Sequence, residues 1–310
     1  MFDTPVYKVL ASNDTGQAPG HQGGIVIPGD IEDFFPDVVG VITPHTPTAD
    51  VPIVADLIVD GRYAGTVNTR YQYQTWGGKR SPERRLTGGL GPLRNEAYPD
   101  DMALFSRDPE KPEWMTITLL RQGSPEYESI VRNNPRSRWG IVPGLPEPAS
   151  NRDIRIAEDE IEAMSVGEFS LFDDNRRIIE APVFKKARDA AFRRKLLHAY
   201  GASCMASGEL IATPNDLFNL DAAHIVPVEA GGTDDVRNGL LLSKDLHWAF
   251  DNGLFSLGDD CSIVLSNYAR NSRHCEAVKR IDGSNLMFGR VALRPHLDAI
   301  RWHRTKVLID

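Results

Sequence analysis

The sequence predicts an α+β protein of two domains, and three observations carry that prediction. Short apolar runs with alternating polar positions, broken by Gly and Pro, fill residues 1–150 and read as strands. The segment Leu220–Leu254, LDAAHIVPVEAGGTDDVRNGLLLSKDLHWAFDNGL, reads as strand, turn, strand and helix. A basic amphipathic helix precedes it, in which Phe192, Leu196 and Leu197 face inward.

Taken in order, strands are expected near Gly24–Pro28, Asp50–Val59, Ala64–Tyr73 and Trp114–Leu120. Pro143, Pro146 and Pro148 punctuate the exit of this first domain. Residues 151–180 are expected to form an acidic connector, rich in the run AEDEIEAMSVGEFSLFDD from Ala157 to Asp174. The second domain occupies residues 181–310. In it, AHIVPV forms a strand closed by Pro227, GGTDD is turn chemistry, and RNGLLL returns as the partner strand. Ser243 suits the N-cap of a helix from Lys244, which puts His247 and Asp251 one turn apart on one face. The closing helix carries Leu297, Ile300 and Trp302, read as core packing.

The chain has 310 residues, enough for two domains, and 41% hydrophobic content, enough for two cores. No stretch approaches a membrane span, and MFDTPVYKVL lacks the regions of a signal peptide. A cytoplasmic protein without a membrane partner is expected. The formal net charge of −8 does not exclude a nucleic-acid partner, because phosphate attraction is set locally within a Debye length of about 8 Å. Basic residues Lys185, Lys186, Arg188, Arg193, Arg194 and Lys195 cluster just before the strand–turn–strand segment. The three cysteines are scattered and give no disulfide framework, which suits a reducing compartment.

His224, Asn238 and His247, in that order and spacing, resemble the HNH or ββα-metal nucleases. The likeness extends upstream through ARDAAFRRKLLHAYGASCMASG and downstream through FSLGDDCSIVLS. It implies phosphodiester hydrolysis by one general-base histidine and one divalent metal. His224 would be the base, and Asn238 would brace the hairpin and orient that base through its amide. His247 would be a metal ligand, with Asp251 a candidate second ligand. One departure concerns the position before the base, where the family often has Asp or His and this chain has Ala223. Asp221 is a nearby candidate ligand, but its strand offset points it away from His224 unless the backbone bulges. Mg²⁺ is the default cofactor, with other divalent ions tolerated. A structural zinc is not expected, because Cys204 is followed by Ser207 where a second thiol would stand, and Cys261 and Cys275 have no CxxC partners.

The first domain carries a second resemblance. KVLASNDTGQAPGHQGGIVIPGDIEDFFP, and the block from Arg70 to Thr87 followed by GGLGPL, are similar to the N-terminal DNA-recognition domain of EcoRII-type restriction endonucleases, a B3-like β-pseudobarrel. The block holds Arg70, Lys79, Arg80, Arg84, Arg85 and Arg94 against the single acid Glu83, a composition suited to phosphates and base edges. The resemblance implies two arms on a duplex. Asn13, Asp14, His21 and Gln22 would sit on one, and Lys79, Arg80, Glu83, Arg84 and Arg85 on the other, with Arg70 beside them. Tyr71, Tyr73 and Trp76 would line a pocket for a flipped base or belong to the barrel core.

Together the resemblances imply a B3-like reader joined to an HNH cutter. Such a protein would be a site-specific restriction endonuclease acting on double-stranded DNA in host defence, as a homodimer because one site cuts one strand. Three alternatives stay open: an enzyme that requires modified cytosine, a DNA-binding regulator whose HNH domain is inactive, and a nuclease directed to RNA or to particular structures. Ala223 keeps the regulator in view.

Overall fold

A computed structural model describes residues 3–17, 23–38, 40, 42–173, 182–213, 218–288 and 293–309. The chain divides into two compact units, Met1–Asp153 with Pro182–Ala187, and Ile154–Ala181 with Arg188–Asp310.

The first unit is built on an eight-stranded sheet in the order β2-β5-β4-β3-β7-β6-β1-β8. Its strands are β1 (Val6–Val9), β2 (Ile25–Ile27), β3 (Thr48–Val59), β4 (Arg62–Gln74), β5 (Glu83–Thr87), β6 (Met102–Asp108), β7 (Lys111–Leu120) and β8 (Trp139–Ile141). Helices α1 (Gly91–Arg94) and α2 (Pro125–Asn133) sit in its connections, α2 capped by Ser124, whose hydroxyl accepts from Tyr127 N at 3.3 Å. All pairings are antiparallel except β3 with β7. Period two explains the buried face: Ile53, Ala55 and Leu57 alternate along β3 and are all at most 1% exposed. The expected strands Asp50–Val59, Ala64–Tyr73 and Trp114–Leu120 fall within β3, β4 and β7, and Gly24–Pro28 extends one residue past β2 at each end. β5 was read as part of a basic arm, because Glu83, Arg84 and Arg85 mask its single fully buried apolar residue, Leu86.

Phe35 stacks on Tyr71 with ring centroids 5.1 Å apart at the centre of this core. Tyr71 is therefore part of the core packed on this sheet. Arg107 on β6 is fully buried, and its guanidinium lies 4.5 Å over the Phe34 ring. It donates to the carbonyls of Phe34 and Ala149 and to Asn151 Oδ1, and pairs with Asp3 at 3.6 Å. One side chain thus fastens residues 149–151 to the sheet, with every contact inside protein.

The greater parts of α3 (Asn151–Val166) and α4 (Pro182–Tyr200) belong to the second unit and lead into the hairpin β9 (Leu220–His224) and β10 (Gly239–Ser243), then α5 (Lys244–Asp251). A second hairpin, β11 (Phe255–Leu257) with β12 (Ile263–Leu265), and helices α6 (Asn267–Asn271), α7 (Glu276–Lys279) and α8 (Leu297–Lys306) complete it. The acids of α3 meet the bases of α4: Glu158 pairs with Arg194 at 3.3 Å and Glu162 with Lys195 at 2.6 Å. Much of the segment expected as a connector thus packs inside this unit, through Phe172 bridging to Gly232 as well. On α8, Ile300 is buried as expected, whereas Leu297 is 41% exposed and does not join the core. No helix among the described residues is long and apolar enough to cross a membrane.

Candidate functional site

The β9–β10 hairpin is held in register by its own loop. Asn238 is fully buried. Its amide oxygen accepts from Val226 N at 2.9 Å, and its amide nitrogen donates to Val226 O at 3.1 Å and Thr233 O at 2.8 Å. Gly232 permits this tight return, since a Cβ there would lie 1.9 Å from Val226 O. Asn238 braces the hairpin as expected. Its amide makes no hydrogen bond to the His224 ring, because all three of its bonds go to backbone atoms; that part of the expectation is corrected.

The His224 ring is held by other residues. Its Nε2 lies 2.8 Å from Asp234 Oδ1, and its face stacks on Phe192 of α4 at 3.9 Å and an interplanar angle of 9°. Asp234 is 1% exposed, and its second oxygen accepts from Arg188 Nε at 2.8 Å. Arg188 also pairs with Asp173 at 2.9 Å. Asp234 was missed in the sequence because DD after GGT reads as turn chemistry. The available signal was the surplus acid: Asp235 alone caps the next turn, accepting from Arg237 N at 2.8 Å.

On α5, Leu246, Ala249 and Phe250 turn inward, which leaves His247 and Asp251 on the outer face toward β9. His247 Nε2 lies 3.3 Å from Asp251 Oδ2, and His247 Nδ1 lies 3.3 Å from Asp221 Oδ2. Ser243 occupies the N-cap position with extended backbone, but its hydroxyl makes no cap bond. Its N–H instead meets Cys204 Sγ at 3.3 Å, so that thiol is used as a hydrogen-bond acceptor for β10.

The electrostatics show that these groups share one field. Burial raises the Asp251 pKa above the usual carboxylate value, and the charges of Glu229 and Asp221 add to it while His247 and His224 oppose it. Burial alone would lower the His247 pKa, but the Asp221 hydrogen bond and the charges of Asp251 and Asp221 outweigh it, so the imidazole sits above its ordinary value. The same hydrogen bond from His247 lowers the pKa of Asp221, against burial.

The divalent cation that the HNH resemblance implies needs converging oxygen or imidazole donors. Among the described residues no cage of three or more ligands is preassembled. The chemistry of the pair on α5 nevertheless suits a hard or borderline ion. Ligands on adjacent octahedral positions at about 2.1 Å from an ion stand about 3.0 Å apart, close to the 3.3 Å between His247 Nε2 and Asp251 Oδ2. Asp221, expected as a ligand, holds the opposite ring nitrogen. In that position it would orient the imidazole and strengthen it as a donor to an ion held at the other ring nitrogen.

In the first unit the expected contact residues are dispersed. Asp14 is fully buried; its carboxylate accepts from Ala11 N and Val26 N and pairs with Lys8 at 2.7 Å. A carboxylate committed to three internal donors has no free edge for a base, so Asp14 is corrected to a brace. Asn13 is exposed, and His21 and Gln22 lie outside the described residues. Arg85 is turned back onto Glu83, with Nε 2.7 Å from Oε1, and is 7% exposed. Arg84 pairs with Glu32 at 2.6 Å and covers the Tyr73 ring at 4.5 Å. Arg70 pairs with Asp50 at 3.4 Å across the β3–β4 ladder. Lys79 and Arg80 are exposed, Arg80 standing 5.3 Å over the Trp76 ring. A cavity of about 500 Å³ opens in this unit between Asn13, Asp30, Glu83, Arg138 and Trp139. Trp139 Nε1 donates to Asp30 Oδ2 at 2.9 Å, which fixes the indole at its wall.

Comparison with known proteins places a name on part of the chain. Residues 204–258 match the family model described as HNH endonuclease. The segment holds both strands of the β9–β10 hairpin, the Asn238 brace and the whole of α5. No curated protein matches the chain. Among solved structures, a modification dependent TagI restriction endonuclease aligns at 24% identity and a TM-score of 0.31, over 38% of this chain. The aligned region spans 37% of that endonuclease.

Proposed function

We propose that the protein is a divalent-metal-dependent DNA endonuclease of restriction type, cutting double-stranded DNA in host defence. The observation that carries this reading is the juxtaposition, inside the HNH-matching segment, of His224 on β9 with His247 and Asp251 on α5. His224 is the general base: its imidazole takes a proton from water as the water oxygen attacks phosphorus and the bond to the leaving alkoxide breaks. His247 and Asp251 would hold the metal, with Mg²⁺ the physiological default and other divalent ions accepted. The bound ion supplies charge stabilisation on the phosphoryl oxygens and the leaving alkoxide. Asn238 keeps the hairpin closed, and Asp221 orients His247. The first unit would read DNA as a B3-like domain, chiefly through Asn13, Lys79, Arg80 and Arg84. A homodimer would cut both strands, and the protein would work in the cytoplasm.

A second reading, an enzyme requiring modified cytosine, is favoured by the cavity beside Trp139. It offers an aromatic wall with amide and carboxylate groups of a kind that recognises an extruded base. Matched methylated and unmethylated plasmids, digested with Mg²⁺, Mn²⁺ or EDTA, distinguish the two readings. Cleavage is expected with metal only, and His224→Ala should lower its rate by roughly 10²–10⁴-fold with DNA binding retained. Undiminished cutting by His224→Ala would sink the assignment of the base. Binding without cutting of either plasmid in any divalent ion would leave a DNA-binding regulator.

A further inference from the structure

We propose that Asp234 is a positioning residue that fixes the tautomer of His224, making Nδ1 the atom that receives the proton, and that Arg188 sets the direction of that control. The inference rests on His224 being the base.

An imidazole can accept a proton only at the nitrogen that carries none, so a base histidine must be held in one tautomer. Asp234 is almost fully buried and faces Nε2 at 2.8 Å. Its other oxygen faces Arg188 Nε at 2.8 Å, and the guanidinium also meets that oxygen through Nη2 at 2.8 Å. A carboxylate paired to a guanidinium, which is always protonated, stays ionised and can only accept. Nε2 must therefore donate, and Nδ1 is left with its lone pair. As a water O–H bond breaks, the proton passes to Nδ1 while the oxygen bonds to phosphorus. The leaving alkoxide takes a proton from solvent, and the imidazolium later returns its own to solvent. During that step the Asp234 carboxylate, unchanged in protonation, stabilises the cation on the ring.

Rotation of the ring out of its plane is opposed on one side by an aromatic plate. Phe192 covers its face at 3.9 Å. Arg188 and Phe192 stand one turn apart on α4, so a single helix face supplies both the stacking surface and the charge behind the carboxylate.

The arrangement makes an unusual demand of the isosteric variant Asp234→Asn. Arg188 has donors only, so the new amide must turn its oxygen to the guanidinium and its NH₂ to Nε2. Nε2 becomes an acceptor, and the proton moves to Nδ1, where it blocks the base. The experiment is ¹⁵N NMR of histidine-labelled full-length protein, with His224 assigned by the loss of its signals in His224→Ala, alongside cleavage kinetics on plasmid. Wild type is expected as the Nε2–H tautomer, and Asp234→Asn as Nδ1–H, with kcat lower by on the order of 10²-fold or more and KM unchanged. A wild-type ring protonated at Nδ1 overturns the proposal without any variant, which covers the case of a variant that does not fold. A kcat loss in Asp234→Asn with the tautomer unswapped also overturns it, as does a swapped tautomer with kcat retained. If His224→Ala still cuts, the base assignment itself has failed; if only Asp234→Asn cuts normally, the failure belongs to this inference alone.

Discussion

The two units handle charge in opposite ways. In the first, the arginines expected on DNA largely turn onto the protein: Arg85 onto Glu83, Arg84 onto Glu32 and Tyr73, Arg70 onto Asp50. In the second, paired charges converge on two imidazoles, His224 and His247, whose rings border the same field. The contrast teaches that a basic stretch of sequence is a poor guide to a basic surface. A histidine set by a hairpin and a following helix is a better guide, because its neighbours are fixed by local geometry.

The sharpest way to break this contrast is at Arg107. If its bonds are purely architectural, Arg107→Ala should destabilise the first unit by about 3–5 kcal/mol, since Asp3 is left as a buried, less compensated charge. Urea denaturation followed by a probe in that unit should show it. A variant as stable as wild type would mean that the buried guanidinium is not what fastens residues 149–151.

Next comes His303 in the second unit, which stacks on Phe250 at 3.7 Å and shares a 2.9 Å hydrogen bond with Ser256. Burial pushes its pKa down to about 4. Below about pH 6.5 the unfolded chain takes up a proton that the folded unit refuses until about pH 4. Stability should therefore fall across that window as pH drops, by up to about 3 kcal/mol. Denaturation midpoints at pH 7 and pH 5 should converge in His303→Phe; an unchanged pH dependence would show that another group carries it.

Arg84 offers a smaller test. If it leaves Glu32 to read a base edge, Arg84→Ala should cost about 1–3 kcal/mol at that position of the site only. A loss equal over all sequences makes it a phosphate contact, and no loss leaves it a partner of Glu32. The exposed pair Lys79 and Arg80 should show the least, each alanine reducing the salt dependence of binding by about one phosphate's worth in a filter or anisotropy titration.

What was legible in the sequence follows the same division. The ββα segment was readable because strand, turn, strand and capped helix lie within a short stretch, so that Asn238, His247 and Asp251 declare their places by spacing. In the first unit, β1 and β8 pair only with strands distant in the chain, and no local pattern announces such partners. Within the site, Asp234 was hidden because its role depends on Arg188 and Phe192 from a helix far upstream. Asp221 was visible as a candidate, but only geometry shows that it addresses Nδ1 of His247. The Asn238 amide, expected to orient His224, does not reach its ring, because three backbone groups claim the amide first.

Gly239 gives the arrangement a further consequence. A Cβ at that position would come within 2.7 Å of both the Phe192 ring and a Leu196 methyl. Adding one methyl group there would touch nothing polar, yet it would lift the aromatic plate from beneath the imidazole and loosen the hold on its proton. With His224 as the base, its reactivity would be tuned by steric tolerance behind the strand as much as by the ionisable groups in front of it.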